Sequence, residues 1–388
     1  DGSFGPLKNL DGTGLHWMSG NWKKREKIPF VSQTDRGPTA DEKNAAWAVE
    51  KLKDFAARPD GKPFFMGVGF IRPHTPLIVP QKYFDRFPLE SSQLPDILAN
   101  DAEDTFKHTV TSPEDDRSGD RGSKMYKSLV ASYDGNRDHA LKLFIQAYLA
   151  SVVSVDDLVG DILTVIDETA LKDNTIIVFT SDHGWGMGEK DYLYKNSLWQ
   201  ESTRVPLAIR APGVSSGHSD HPVSLIDLYP TLLELCDLPR DTLISEKGHP
   251  LEGHSLKPLL EDPVNGDWEG PDAALTALYK WARYYDPAAQ NYSLRSKDWR
   301  YVRYENGKEE LYHCANDPHE WTNLALNPEY SGRLQSFRKQ LSARIPPSKP
   351  KPDVTAEDWK ARYFKKHPEA DTNRDGQLSW PELKAHKA

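Results

Sequence analysis

The run Thr175-Ile176-Ile177-Val178-Phe179-Thr180 carries no charge and is apolar at four consecutive positions. Successive strand residues point to opposite faces, so such a strand needs cover on both. It follows a long repeat of Leu141, Phe144, Ile145, Tyr148, Leu149 and Val152 that continues through Leu158, Ile162 and Ile166 at helical spacing. Upstream, Ala45, Ala46, Val49, Leu52 and Phe55 predict a helix over 41–57, and residues 64–70 (FFMGVGF) read as a buried strand. Another strand fits 205–211, closed by Pro212-Gly213, and Ser224 caps a helix reaching Cys236. Helices alternating with fully apolar strands predict an α/β fold with a mostly parallel sheet covered by helices on both faces. Residues 89–136 are polar, with acidic Glu114, Asp115 and Asp116, and read as a long surface loop.

The texture changes after about residue 265. Residues 299–304 (WRYVRY) and 310–312 (ELY) flank Glu305-Asn306-Gly307-Lys308, and Asn-Gly is a strong hairpin signal. A helix over 328–345 closes this smaller antiparallel unit, and the Pro/Lys-rich run after it reads as a linker. The expected division is a main α/β unit over 1–264, an antiparallel-sheet subdomain over 265–345, a linker over 346–354 and a terminal helix-loop-helix over 355–388.

A net charge of −9 argues against nucleic acid as a partner, and any anion site must be local. No apolar run approaches the ~18 residues of a membrane span. The two cysteines, Cys236 and Cys314, form no C-x-x-C pair and read as two separate thiols.

Residues 371–382 (DTNRDGQLSWPE) fit a twelve-residue EF-hand-like loop. Calcium takes about six to eight oxygen ligands. Asp371, Asn373 and Asp375 offer side-chain oxygens, Gln377 its carbonyl, Ser379 the often water-mediated position, and Glu382 a bidentate carboxylate. Gly376 permits the sharp turn, and Leu378 faces inward. With one such loop and no partner loop, a structural or anchoring role is expected rather than switching.

In open α/β sheets, ligands gather at the carboxyl ends of strands. Just past one such end stand Asp182 and His183 followed by Gly184, a carboxylate and an imidazole suited to one metal ion. The stretch onward is SDHGW, then GEK, then KNSLWQESTRVPL, and upstream lies FFMGVGFIRPHTP. Together with EELYHCANDPHEWTNLA, these motifs resemble the sulfatase family of the alkaline-phosphatase superfamily, over roughly residues 1–345. The branch they are most similar to is that of iduronate-2-sulfatase. The resemblance implies a sulfuric ester hydrolase acting on a sulfated carbohydrate, periplasmic or secreted. It implies Asp182 and His183 as ligands of an active-site divalent cation, usually calcium. It implies Lys195 at a sulfate oxygen and the leaving ester oxygen, His74 as donor to that same oxygen, and Arg72 toward anionic substrate. Such residues answer the chemistry, because a nucleophile must approach an already anionic sulfate.

The sequence also departs from the family. No C/S-x-P-x-R run, the source of the formylglycine nucleophile, occurs in it. The aspartate pair that precedes that nucleophile is also missing, since Asp156-Asp157 falls inside the long helix. The chain is therefore expected to lack the family's N-terminal part and to be inactive alone. Gly186-Met187 stands where relatives often carry His-Leu. Two alternatives remain: a phosphoester or phosphonate hydrolase of the same superfamily, and a non-catalytic calcium-binding protein. The spaced pairs Asp104/His108 and His218/His221 read as loop residues.

Overall fold

The computed structural model describes residues 37–58, 61–106, 121–240, 248–279, 285–348, 361 and 363–387. Helix α1 (Ala40–Ala56) begins at Thr39, whose hydroxyl accepts from the Glu42 amide while the Glu42 carboxylate accepts from the Thr39 amide. This reciprocal cap satisfies two otherwise orphaned donors. A short α2 (Gln81–Phe84) and α3 (Arg121–Ala131) precede the 31-residue α4 (Arg137–Asp167). Helix α4 organises the main unit. Near its start, Leu141 and Phe144 share a core with Leu77, Met125, Leu129, Trp185 and Leu193. Near its end, Val165 and Ile166 pack with Leu52 of α1 and Leu171.

Helix α3 corrects the expectation of an irregular loop across 89–136. Met125, Tyr126 and Leu129 lie on one buried face against α4, with Val130 beside them, and that docking stabilises the helix. Gly122 has no room for a side chain, because a Cβ there would lie 2.2 Å from the Tyr192 ring. The acidic cluster at 114–116 lies outside the described residues.

The sheet around β1 (Ile177–Thr180) also differs from expectation. Its partner β2 (Leu207–Arg210) runs antiparallel, with Ile177 opposite Arg210 and Thr180 opposite Leu207. Among the described residues no strand pair is parallel. Parallel neighbours need a crossover, usually a helix. The long helix stands before β1, whereas residues 181–206 between the strands hold only a 3₁₀ turn and the one-turn α5 (Gln200–Thr203), so the chain doubles back. Residues 64–70 alternate between half-buried and exposed, and among the described residues they join no ladder. Phe64 and Met66 pack beneath α1 and α4, whereas Phe65 is 88% exposed.

After α6 (Leu228–Leu235) and α7 (Lys257–Glu261), strands β3 (Ala273–Leu278), β4 (Asn291–Ser296), β5 (Arg300–Arg303) and β6 (Glu309–Tyr312) form an antiparallel meander in chain order. The expected Asn306-Gly307 turn joins β5 to β6, with Gly307 at φ +80°. Helix α8 (Ser331–Arg344) lays Leu334, Phe337 and Leu341 on Leu294, Tyr301 and Leu311. Each such side chain contributes about 1.5–3 kcal/mol on full burial. The terminal unit comprises a helical turn at 363–366, the loop 371–382 and α9 (Trp380–Lys387). No helix among the described residues is long and apolar enough to cross a membrane. Cys236 is exposed and Cys314 buried, both as free thiols.

Candidate active site

Strand β1 delivers Ser181-Asp182-His183-Gly184 to its carboxyl end. The Ser181 hydroxyl donates to the His183 carbonyl at 2.9 Å. His183 Nδ1 lies 2.8 Å from the Gly184 carbonyl, which can only accept, so Nδ1 bears a proton and Nε2 is the nitrogen left for another partner. That Nε2 lies 3.6 Å from Asp182 Oδ2, and the Asp182 side chain is 84% exposed. Gly184 is required here: its amide donates to the Ser202 carbonyl, and a Cβ would fall 2.0 Å from the Glu201 carbonyl oxygen. A carboxylate oxygen and an imidazole nitrogen of this kind would suit a divalent cation. Among the described residues no third His, Cys, Asp or Glu donor closes around this pair.

The second segment, Arg72-Pro73-His74, is held by buried Asp41 in the first turn of α1. Its carboxylate accepts from the Ile71 amide at 2.7 Å and the Arg72 amide at 3.0 Å. Arg72 Nε donates to the Ile78 carbonyl and Nη1 to the His74 carbonyl, so two of its nitrogens brace its own loop. Burial holds the Arg72 pKa below its ordinary value, against the pull of Asp41. His74 Nδ1 lies 2.6 Å from the Thr75 carbonyl. Burial depresses the His74 pKa most, the Thr75 carbonyl opposes this, and the charges of Lys195, Arg72 and His183 lower it further. Lys195 and His183, distant in the chain from Arg72 and His74, thus share one electrostatic neighbourhood with them.

Lys195 is half-buried on a turned-back segment. The Gly186 amide donates to the Tyr194 carbonyl and the Gly188 amide to the Tyr192 carbonyl, both at 3.0 Å. Trp185 meets Tyr194 edge to face at 5.3 Å, and Met187 packs against the main core.

Sequence reasoning missed the charged residues beneath this segment. Lys190 is buried, donates to Asp101 Oδ1 at 2.8 Å and to the Glu320 carbonyl at 2.5 Å, and lies over the rings of Trp199 and Tyr312. Arg300 pairs with the Glu320 carboxylate and donates to the Leu198 carbonyl, Thr203 Oγ1 and Ser293 Oγ. Buried Glu310 accepts from Trp199 Nε1, both Tyr304 and Tyr312 hydroxyls and the Phe106 amide. The only signal was that Lys190 and Glu320 fall inside the quoted GEK and PHEW runs. Glu201 stands above this network. Its pKa is pushed up to about 7 by burial, then by the like charges of Glu320 and Glu189. Of the set-aside pairs, Asp104 accepts from the Asn323 amide at 2.7 Å, and His108 lies outside the described residues. His218 is exposed beside Asp220, and His221 rests against Trp268.

In the terminal loop the carboxylates turn inward onto backbone amides. Asp371 Oδ2 accepts from Gly376, Asn373 Oδ1 from Asp375, and Asp375 Oδ1 from Gln377. Glu382 accepts from the Thr372 and Asn373 amides with one oxygen and from the Ser379 amide and hydroxyl with the other. Those hydrogen bonds, the Ser379 ones foremost, hold its pKa down at about 2. Gly376 has φ +82°, and Leu378 is buried with Ala370.

The sulfatase family model matches residues 11–238, and a model described as N-sulphoglucosamine sulphohydrolase, C-terminal, matches 188–346. The chain belongs to the sulfatase family. It is 33% identical over 303 residues to a sulfatase of Formosa agariphila, covering 78% of this chain and 53% of that protein. It thus spans about half the length of the curated relatives it matches. Its fold resembles that of a protein solved with its substrate D-glucosamine-2-N,6-O-disulfate, with a TM-score of 0.58, 21% identity, and 90% of this chain and 72% of that one covered. It also resembles the phosphonate monoester hydrolase of Agrobacterium radiobacter, with a TM-score of 0.61, 24% identity, and 86% and 66% covered.

Proposed function

We propose that the hollow around His74, Asp182, His183 and Lys195 is the leaving-group side of a sulfuric ester hydrolase site of the iduronate-2-sulfatase-like branch, acting on a sulfated carbohydrate. The observation that supports this reading is the joint action of Lys195, Arg72 and His183 on His74. A sulfate monoester is anionic at physiological pH, and clustered positive charge in half-buried surroundings offsets that charge better than water does. Lys195 holds a sulfate oxygen and the bridging ester oxygen. His74, next to it, holds the proton that the departing alkoxide takes. Without an anion, burial and the neighbouring charges keep His74 neutral; a bound sulfate opposes those charges and returns the ring toward its protonated form. Asp182 and His183 Nε2 hold a divalent cation, assigned as Ca2+, which supplies further neutralisation of the sulfate when bound. Arg72 acts mainly as the brace of the His74 loop.

The sequence contains no C/S-x-P-x-R run, so turnover by these 388 residues alone is not expected. The reading places catalysis in 1–264 and 265–345, with 346–354 as linker and 355–388 as a unit that binds a second Ca2+ in the periplasm or outside the cell. Calorimetric titration with a sulfated glucosamine tests it. Binding should weaken by at least about tenfold in His74→Ala and Lys195→Ala, and vanish for the unsulfated sugar. Binding that is indifferent to both substitutions would sink the reading. Assays of the full gene product on matched aryl sulfate and aryl phosphate then distinguish a sulfatase from a phosphoester or phosphonate hydrolase.

A further inference from the structure

A second cluster of metal-binding groups lies outside both the hollow and the calcium loop. His367 directly follows the helical turn at 363–366, Glu369 comes two residues later, and His386 comes from α9 on the far side of the loop. One ligand atom from each lies within 4.8 Å of the others. His367 Nδ1 is 3.1 Å and His386 Nε2 is 3.4 Å from the same oxygen, Glu369 Oε1. The Tyr363 hydroxyl lies 3.0 Å from His386 Nδ1, the ring nitrogen that faces away from the carboxylate. A partner on the outer nitrogen fixes ring orientation and tautomer, as is usual for metal-ligating histidines. The Tyr363 ring also lies against both imidazoles, at 4.6 Å from His367 and 5.9 Å from His386.

We infer that His367, Glu369 and His386 form a binding site for a divalent transition-metal ion of the zinc type. Two imidazole nitrogens and one carboxylate oxygen suit Zn2+, Co2+ or Ni2+, and a tetrahedral ion of this kind takes a fourth ligand from water. Calcium, which takes oxygen ligands, is served by the all-oxygen loop between these residues. The two sites divide the work. The loop closes on its own backbone, and the histidine site ties the segment before the loop to the helix after it. An ion there removes freedom that the loop would otherwise lose on binding Ca2+, so each ion favours the other.

The test is calorimetric titration of the full chain with Zn2+ in excess Ca2+, alongside His367→Gln/His386→Gln and Glu369→Gln. All three residues are partly exposed, so these variants should keep the thermal unfolding of the zinc-free protein. The double variant should lose one bound equivalent that the parent chain takes up, and Glu369→Gln should hold it at least about tenfold more weakly. Co2+ in place of Zn2+ should give visible absorption bands that the double variant lacks. Identical zinc isotherms for the parent chain and the double variant would overturn the assignment, because ions held at Asp182 and His183 would remain in both.

Discussion

Lys190 and Asp101 stand 89 positions apart and meet as an ion pair at 2.8 Å, with each side chain only 1% exposed. Asp101 Oδ2 has no hydrogen-bond partner in its buried position, and burial keeps this carboxyl's pKa above its ordinary value despite Lys190. Removing one member of such a pair strands a buried charge. Lys190→Met is expected to cost about 3–5 kcal/mol in urea unfolding. Lys190→Met combined with Asp101→Leu should recover much of that loss. A single variant as stable as the parent would show that water reaches the pair.

Gly184→Ala should disturb the hollow without touching a charged group. The added methyl meets the Glu201 carbonyl, which belongs to backbone and cannot rotate away. The expected cost is about 1–3 kcal/mol of stability, with His183 displaced. Loss of affinity for a sulfated sugar, beyond what the stability loss explains, is the diagnostic readout.

Lys195→Met should raise the His74 pKa, because one of the charges lowering it is removed. Histidine ring resonances followed against pH by NMR in chelator-treated protein will show this. An unchanged His74 titration would place Lys195 too far away for the proposed chemistry.

Glu201 predicts a pH dependence of stability. Its folded-state pKa is about 7 against an ordinary 4.5, so between these values the folded protein holds the proton more tightly than the unfolded chain does. Stability therefore falls as pH rises through this window, by up to about 3 kcal/mol. Glu201→Gln should flatten that part of the stability-versus-pH curve. A slope identical to the parent's would show that the carboxyl is solvated.

Calcium should stabilise the terminal unit through the loop at 371–382. At a hundredfold excess over Kd, the gain is about 2.7 kcal/mol. Glu382→Gln should abolish most of it, since Glu382 is the bidentate candidate and already gathers the loop. Hydrogen exchange at Thr372, Asn373 and Ser379, with and without calcium, provides the measurement.

The elements legible in the sequence were those whose stabilising contacts are local. The stripe from Ala45 to Phe55 forms α1, Asn306-Gly307 turns the β5–β6 hairpin, and the repeat from Leu141 to Ile166 forms α4. Strand direction was not legible, because the apolar run 175–180 satisfies a parallel or an antiparallel neighbour equally, and only the connection decides. Helix α3 was hidden because its apolar face is just wide enough to dock on α4. At the hollow, motif resemblance selected His74 and Lys195. It could not reveal that Arg72 braces its own loop, which depends on where the Ile78 and His74 carbonyls fall. Lys190, Glu310 and Glu320 looked like ordinary surface charges, since no local pattern separates a solvated lysine from a buried one.

The burial of Glu320 has a mechanical consequence. Its carbonyl and carboxylate fasten the Lys190 turn and β5 to one point, so the segment that bears Lys195 is riveted to the C-terminal meander. The Arg72–Ile78 segment is tied down chiefly through Asp41 and its own carbonyls. The two segments are therefore unequally braced, and the freedom to move falls to Arg72–Ile78. Amide exchange that quickens at residues 72–78 while 190–200 stays protected is the expected signature of that asymmetry.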